Sequence, residues 1–431
     1  MSKSITGQIN ISSFSQIEKR IKNISDLKKN IEKKMKKNIT EFLEILTVGA
    51  IVLDVSDIHI EPKKEKIKIR VRLDGILQPV IEIEKEKYKR ILSRIKLLSG
   101  IKLNISKSPQ DGRFSIIIQE QSIETRVSSL PTEYGESLVL RILNPENLIN
   151  IEDLGLRKDL LKIFQREIKK PNGMIIVTGP TGSGKTTTLY TILKEIQSPQ
   201  IKIITIEDPI EYHLKGISQT QIDSKKGYDF ANGLEAIMRQ DPDVILVGEI
   251  RNKKTAKIAI QAALTGHLVL STLHTNDAAG TIARLVTMEA KTSNIGPALN
   301  ISIAQRLVRK ICKKCYQLDK PSSEETEKIK QGLKNIPDKL KKELKIKENV
   351  LIPKPKGCEH CNQTGYKGRT GIYEFVLMDD EMEKFILENP SIAAIKEEAQ
   401  KRGMINMYHD GLIKVLQGIT DFEELKRVTG I

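Results

Sequence analysis

The sequence predicts an α/β chain: a smaller α+β domain, then a larger domain with a mostly parallel sheet, a cysteine-bearing subdomain and C-terminal helices. Three observations predict it. A glycine-rich turn from Gly179 to Thr186 lies between an apolar run, Met174 to Thr178, and a helix that begins near Thr186. Beyond it, the apolar runs Ile201 to Glu207, Val244 to Glu249 and His267 to Leu273 alternate with helical segments. That pattern implies right-handed crossovers and ligands at the carboxyl ends of the strands. Before it, short alternating runs punctuated by Asp-Gly read as hairpins.

A length of 431 residues suits two to three domains, and 39% hydrophobic with 29% charged residues fits a globular protein. No run of about 18 apolar residues occurs, and the start MSKSITGQIN has no apolar signal-peptide region. A cytoplasmic location with at most peripheral membrane contact is expected. The formal net charge is +16, and residues 1 to 40 hold ten Lys or Arg against three Asp or Glu. Such an excess attracts nucleic acid or an anionic membrane surface. Lysines interleaved with glutamates on solvated helix faces give the same total.

In chain order, Ile17, Ile21, Ile24, Ile31 and Met35, with Lys28 in the series, predict a basic amphipathic leader helix within residues 1–40. A docking or self-association helix and a frayed leader are both open readings. Residues 41–148 form the α+β domain. Its runs include Lys66 to Leu73 and Phe114 to Ile118, with Asp74-Gly75 and Asp111-Gly112 as hairpin turns and Tyr88 to Leu98 as a helix. Leu143-Asn144-Pro145 begins a linker. Residues 149–310 form the parallel-sheet core, 311–371 the cysteine subdomain and 372–431 the C-terminal helical region.

The turn matches G-x-x-x-x-G-K-[ST] at Gly179, Gly184, Lys185 and Thr186 in the required strand-then-helix context. The backbone of Gly179, Pro180, Thr181, Gly182, Ser183, Gly184 and Thr187 surrounds the phosphate position, every residue but the proline offering an N–H group. Lys185 reaches the β and γ phosphates, and the Thr186 hydroxyl holds magnesium. DVILVGE, Asp243 to Glu249, delivers Glu249 to the pocket, to hold magnesium or to position the attacking water. Glu207 and Asp208 end the preceding strand and divide such work in an order the sequence leaves open. His267 and His274 bracket the next strand, and a histidine near a γ phosphate reports the nucleotide state. Cys312, Cys315, Cys358 and Cys361 form two C-x-x-C pairs with 42 residues between them, including a charged, helical insert from Ser322 to Lys347. Four thiolates suit a closed, structural zinc site; the other reading is four unpaired cysteines. His360 is not expected to be a ligand.

The phosphate loop, ITIEDPIEY, MRQDPDVILVGEIR and GHLVLSTLHTNDAAGTIARL resemble, in order, the Walker A motif, Asp box, Walker B motif and His box of the secretion ATPase superfamily. Within it the chain is similar to the assembly ATPases of type IV pili and type II secretion systems. SDIHIEP, IRVRLDG, QDGRF and RVSSLPTEYGE extend the match into the first domain, and AQRLVRKICKKC and GCEHCNQTGYKGRTGIYE beyond the core, from about residue 45 to 430. The resemblance implies a RecA-like ATPase core after a PAS-like domain, in a homo-hexamer with ATP bound between the two domains. It implies ATP hydrolysis to ADP and phosphate, coupled to displacement of an inner-membrane platform protein. Arg113 and Arg126 are then the first domain's arginines that reach the phosphates. A tetracysteine zinc subdomain is common in assembly-type members. Longer relatives carry an amino-terminal docking domain ahead of SDIHIEP; here docking falls to the basic helix, and direct cyclic di-GMP control is not expected.

Pilus assembly is the leading function, with type II secretion or competence machinery as the alternative. A nucleic-acid translocase is a further reading that the +16 charge favours. Aromatics at 4% and no visible stacking platform argue against it, so no nucleic-acid partner is expected.

Overall fold

The computed structural model describes residues 7–11, 13–34, 38–343, 351–388 and 390–431. Packing divides the chain into two compact units. Unit 1 comprises Met1–Asn147, Cys312–Cys315 and Lys356–Lys367, and unit 2 comprises Leu148–Ile311, Tyr316–Pro355 and Gly368–Ile431. The cysteine pairs thus group with unit 1, and the insert between them with unit 2.

In unit 1 the strands are Gln8–Asn10 (β1), Asp57–Pro62 (β2), Ile67–Leu73 (β3), Ile76–Ile83 (β4), Gln110–Ile118 (β5), Gln121–Thr132 (β6) and Gly135–Leu143 (β7). They form one sheet in the order β1-β5-β6-β7-β2-β3-β4, antiparallel except for β1 on β5. Alternation in IKIRVRL sends Ile67, Ile69, Val71 and Leu73 into the core and leaves Lys68, Arg70 and Arg72 on the other face. Asp74 and Gly75 turn β3 into β4, both at positive φ, as expected for this dipeptide.

Asp111-Gly112 is not a hairpin turn; it lies inside β5. A Cβ on Gly112 would sit 2.2 Å from the Ser99 carbonyl oxygen, so this glycine admits the chain leaving the preceding helix. The turn between β5 and β6 is instead at Gln119-Glu120, with Gln119 at φ 48°.

Four helices cover the sheet: Phe14–Glu18 (α1), Ile24–Lys34 (α2), Ile39–Val52 (α3) and Lys85–Leu98 (α4). Ile21, Ile24, Leu27 and Ile31 are buried with Phe42, Leu46 and the sheet residues, while Met35 lies outside the described residues. The single leader helix expected within residues 1–40 is instead strand β1 and the two helices α1 and α2, and of the stripe open to docking, Ile21, Ile24 and Ile31 are buried while Ile17 is half-buried. A Cβ on Gly49 would meet Leu27 at 2.4 Å, so α2 and α3 pack closely at that point. The first turn of α2 has two caps. Asn23 accepts from the Asp26 amide at 2.8 Å, and Asn362 accepts from the Ile24 amide at 2.6 Å.

Unit 2 carries Gly173–Thr178 (β8), Ile203–Glu207 (β9), Ser218–Gln221 (β10), Val244–Val247 (β11), Leu268–Leu273 (β12), Leu299–Ile311 (β13), Gln317–Asp319 (β14) and Ile352–Lys354 (β15). The strand Tyr366–Leu377 (β16) completes it. The main sheet runs β10-β9-β11-β12-β8-β13-β16, with β10, β9, β11, β12, β8 and β13 mutually parallel, while β14 and β15 form a separate antiparallel ribbon. β8, β11 and β12 are buried at every residue, as strands covered on both faces must be.

The helices are Lys158–Glu167 (α5), Lys185–Ile196 (α6), Phe230–Ile237 (α7), Lys253–Leu264 (α8), Ala279–Thr287 (α9) and Thr292–Ala298 (α10). Ser323–Lys334 (α11) and Asp338–Glu343 (α12) make up the described part of the insert; its expected end, residues 344–347, lies outside the described residues. Asp380–Leu387 (α13), Ile392–Lys401 (α14), Met407–Leu416 (α15) and Phe422–Thr429 (α16) close the chain. One buried ionic group ties this end to the start of unit 2. Asp410 accepts from Arg157, from the Tyr373 amide at 2.8 Å and from the Lys414 ammonium at 3.0 Å. Among the described residues, no helix is long and apolar enough to cross a membrane.

Candidate active site and metal centre

β8 ends at Thr178, and the next six residues turn the chain into α6. Gly179, Gly182 and Gly184 take φ of 146°, 79° and 88°, which side-chain-bearing residues rarely adopt. A Cβ on Gly179 would lie 2.4 Å from the Gln305 carbonyl oxygen, so β13 fixes how tightly the loop closes. The Ser183 hydroxyl is buried inside this loop without a hydrogen-bond partner among the described residues. An orphaned donor at the start of a helix, in a cradle that glycine alone permits, fits a phosphate group. Lys185 opens α6, and its ammonium donates to the carbonyls of Gly179 at 2.8 Å and Pro180 at 3.1 Å. Burial pulls its pKa down, and Glu249 opposes that shift. Pro180, Thr181 and Thr186 are exposed at the mouth of the loop, and Thr187 is half-buried behind them. Thr188, one residue further, donates to Gln305 at 2.7 Å and locks the helix to β13.

Parallel strands deliver their carboxyl ends to one edge, so the residues after β8, β9, β11 and β12 meet there. β12 lies between the loop strand β8 and the acid-bearing strand β11. The Thr178 hydroxyl bonds the Leu273 carbonyl at 3.0 Å and accepts from the Thr275 amide at 2.8 Å, which pins the end of β12 beside the loop. Glu249 is mostly buried two residues past β11. One of its oxygens meets the Arg251 guanidinium at 2.5 Å and the other the exposed His274 ring at 3.3 Å. Asp208 is exposed at the end of β9, in the field of Arg251. Lys185, Asp208, Glu249 and His274 are therefore brought together, as the strand-end reading expects. Sequence reasoning passed over Arg251 and Gln305. Both stood inside quoted motifs, Arg251 in MRQDPDVILVGEIR and Gln305 in AQRLVRKICKKC, so their places there were usable signals.

Two expectations are altered. His267 does not join the cluster. It precedes β12 at the opposite edge of the sheet, its ring on the Ala262 carbonyl at 3.0 Å and its own carbonyl accepting from Gly173 at the start of β8. The six residues of β12 separate it from His274, seven steps or roughly 23 Å at about 3.3 Å per residue. Glu207 ends β9 but points into the protein. One oxygen accepts from Tyr190 of α6, the other from Thr205 at 2.6 Å and Gln219 at 3.2 Å. Burial pushes its pKa up and these hydrogen bonds offset part of the rise. It ties the loop helix to β9.

Arg113 and Arg126 belong to unit 1. They are directly opposite on β5 and β6 and share Glu124, at 3.7 Å and 3.6 Å.

All four cysteine sulfurs lie within 4.8 Å of one another. Neighbouring pairs stand at 3.9 Å (Cys312 and Cys358), 3.7 Å (Cys315 and Cys361) and 3.8 Å (Cys358 and Cys361). A tetrahedron with metal–sulfur bonds of about 2.3 Å has edges of about 3.8 Å. The amides of Cys358 and Gly365 donate to the Cys361 sulfur at 3.2 Å and 3.3 Å. Burial pushes the Cys315 thiol up to about 12; at Cys358 burial acts in the same direction, but hydrogen bonds from Cys361 and Cys315 outweigh it and bring that thiol down to about 7. The donor set suits a closed tetrahedral zinc site. His360 is exposed beside it and is not one of the clustered groups.

The sequence profile of the family described as type II/IV secretion system protein matches residues 32–427. The type IV pilus assembly ATPase PilB of Thermus thermophilus is 43% identical over 386 residues, which is 89% of this chain but 42% of that protein. The type II secretion system protein E of Xanthomonas campestris pv. campestris is 42% identical over 396 residues, 91% of this chain and 67% of that one. The chain thus spans less than half the Thermus relative and about two thirds of the Xanthomonas one. Among solved structures, the pilus retraction motor PilT with bound ADP is 27% identical with a TM-score of 0.58, over 89% of this chain and 96% of that one. The ATPase DotB of Legionella pneumophila shares the fold, with a TM-score of 0.64 at 22% identity over 90% and 94% of the two chains. The chain that carries this glycine loop, the acid–arginine–histidine group after β11 and β12 and the four-sulfur cluster belongs to the type II/IV secretion system protein family.

Proposed function

We propose that the chain is an ATP-hydrolysing motor subunit of a type IV pilus assembly or type II secretion machine. The observation that carries this is the convergence of the phosphate loop and Lys185 with Asp208, Glu249 and His274 at one edge of a parallel sheet. The relatives named above are a pilus assembly ATPase and a secretion protein, and the PilT structure holds ADP, which supports the reading.

In this reading the backbone from Gly179 to Thr187 and the Ser183 hydroxyl bind the phosphates of ATP, and Lys185 exchanges its loop carbonyls for phosphate oxygens. Thr186, with carboxylates from Asp208 and Glu249, offers the hard oxygen donors that would hold magnesium, which when bound would supply charge neutralisation at the phosphates. Glu249 orients the attacking water and accepts its proton, while Arg251 and His274 hold the carboxylate in place. His274 is exposed enough to exchange Glu249 for a γ-phosphate oxygen and so to report its loss. Glu207 keeps α6 and β9 aligned as Asp208 works beside it. Arg113 and Arg126 bring guanidinium charge to the γ phosphate, a contribution of about 10³ to 10⁵ in rate for such arginines. The four cysteines hold a structural zinc. The chain works as a homo-hexamer on the cytoplasmic side of an inner-membrane platform protein.

The test is phosphate release by the purified full chain with magnesium and ATP. Turnover in the wild type, abolished together with nucleotide binding in Lys185→Ala, is expected. No release from the assembled wild type overturns the reading.

A further inference from the structure

The turn that follows β12 is held at more points than its length needs. His274 leaves the strand, and the next residue is pinned twice: the Thr275 amide donates to Thr178 at 2.8 Å and its hydroxyl donates to the Asp277 carbonyl at 2.9 Å. One Asp277 oxygen accepts from the Gly280 amide at 2.7 Å, in the first turn of α9, and the other meets the Lys396 ammonium of α14 at 2.7 Å. Ala278 is held from both sides. Its carbonyl accepts from the Ser302 hydroxyl of β13 at 2.9 Å, and its amide donates to one oxygen of Glu374 at 3.0 Å.

Glu374 stands on β16 and is 5% exposed. Its second oxygen accepts from the amide of Met407, the first residue of α15, at 3.3 Å. One carboxylate thus lies at the start of two helices, α9 and α15, where helix dipoles favour negative charge. Burial pushes its pKa up, and the Ala278 and Met407 amides oppose the rise. Among the described residues no cation bonds it; Lys396 bonds Asp277 instead. A buried carboxylate without a partner cation is costly, and an apolar side chain of the same size would serve packing alone at less cost. Groups of this kind gather at functional sites.

We propose that Glu374 is a positioning residue for ATP hydrolysis: by holding the Ala278 amide it fixes the turn that presents His274 beside Glu249, and by holding Met407 it ties that turn to α15. The inference rests on the proposed contact of His274 with the γ phosphate, and it gives Glu374 no contact with nucleotide. The link runs from Glu374 to Ala278, back along the turn through Asp277 and Thr275, and ends at the residue before which His274 stands. The helix that follows the phosphate loop keeps its own anchor, Thr188 on Gln305, so ATP binding does not depend on this link.

The test measures kcat and KM for ATP of the full chain in Glu374→Gln, Lys396→Ala, His274→Ala and the two double variants with His274→Ala. Single-turnover rates cover the slow variants, and thermal midpoints control for folding. Glu374→Gln keeps the side-chain shape but turns an N–H group toward one of the two amides. It is expected to lose about tenfold in kcat, within the cost of displacing a reacting group by up to about 1 Å. Its KM should change less than about threefold, as for an interaction that acts on the transition state alone. Lys396→Ala, at a partly exposed position, is expected to lose about threefold in kcat. Neither loss should appear in the His274→Ala background, because residues that act only through His274 have nothing left to act on. In Glu374→Gln the Thr275 amide should exchange with solvent about tenfold faster, with the Thr188 amide unchanged.

Wild-type kcat in folded Glu374→Gln overturns the inference, as do losses that persist in full in the His274→Ala background. If Glu374→Gln fails to fold, Lys396→Ala decides: a loss that His274→Ala suppresses bears the inference out, and wild-type turnover overturns it. Wild-type turnover in His274→Ala also overturns it and leaves the motor reading standing. No phosphate release from the assembled wild type removes that reading and the inference with it.

Discussion

Replacing Asp410 by Asn should destabilise unit 2 by about 3 to 5 kcal/mol, the cost of breaking a buried ion pair from one side. The magnitude follows from what the carboxylate holds. Asp410 is fully buried and accepts from Arg157, Lys414 and the Tyr373 amide, with Arg157 and Lys414 themselves only 3% exposed. The remaining acid near them, Asp159, bonds Arg157 at 3.1 Å and is 31% exposed. An amide in place of the carboxylate removes the charge that balances two buried cations and turns an N–H donor toward donors. Burial opposes ionisation of Asp410, but Lys414 and Arg157 hold its pKa below the usual carboxylate range. Its folded value being depressed, the wild-type contribution is complete above the unfolded value of about 3.9 and is lost as pH falls through the folded one.

The variant should also gain a different pH dependence. Burial pulls Lys414 down and Asp410 is the first influence that holds it up. Without that anion the folded chain releases the Lys414 proton, while the unfolded chain keeps it up to about pH 10.4. The unfolded state then binds more protons, so stability of the variant rises with pH through the window below that value. Calorimetry of the full chain, with hydrogen exchange of the α15 amides as the local probe, reads both effects. A loss on the order of 10 °C in the unit 2 transition is expected for a unit of this size. A midpoint within about 2 °C of the wild type and unchanged α15 exchange would refute the reasoning.

Two further outcomes follow from the sites. Glu249→Gln should retain ATP binding and lose about 10² to 10⁴ in turnover, the range for a general base, equal to roughly 3 to 5 kcal/mol of barrier; rapid single-turnover hydrolysis in that variant contradicts the role. Elemental analysis should return close to one zinc per chain and far less in Cys361→Ser, whose unit 1 should also melt earlier; a folded, zinc-free wild type contradicts the metal reading.

What the sequence disclosed depended on how far each signal reaches along the chain. The loop from Gly179 to Lys185 is legible because its glycines serve a conformation set within a few residues, and Glu249 because an apolar strand announces where its end is. Tetrahedral sulfur spacing was foreshadowed by two C-x-x-C pairs. Asp111-Gly112 misled because a glycine that admits a neighbouring backbone looks the same in sequence as one that turns the chain. The two histidines of GHLVLSTLH look alike in sequence, and a parallel strand sends its two ends to opposite edges. An apolar stripe such as Ile24, Leu27 and Ile31 says that something covers it, not what. Glu207 and the facing pair of Arg113 and Arg126 depend on partners and register set across the sheet, which spacing along the chain does not encode.

The cap that Asn362 places on the Ile24 amide spans 338 positions. During translation at about 5 to 20 residues per second, the ribosome reaches Asn362 roughly 20 to 70 s after Ile24 has been made. For that interval the front of α2 waits with one amide unsatisfied, and the cysteine knuckle that supplies its partner does not yet exist. Unit 1 is thus begun first and finished late, after the parallel sheet has emerged. Any nascent chain released before residue 362 leaves the first turn of α2 with the Asn23 cap but without the one from Asn362.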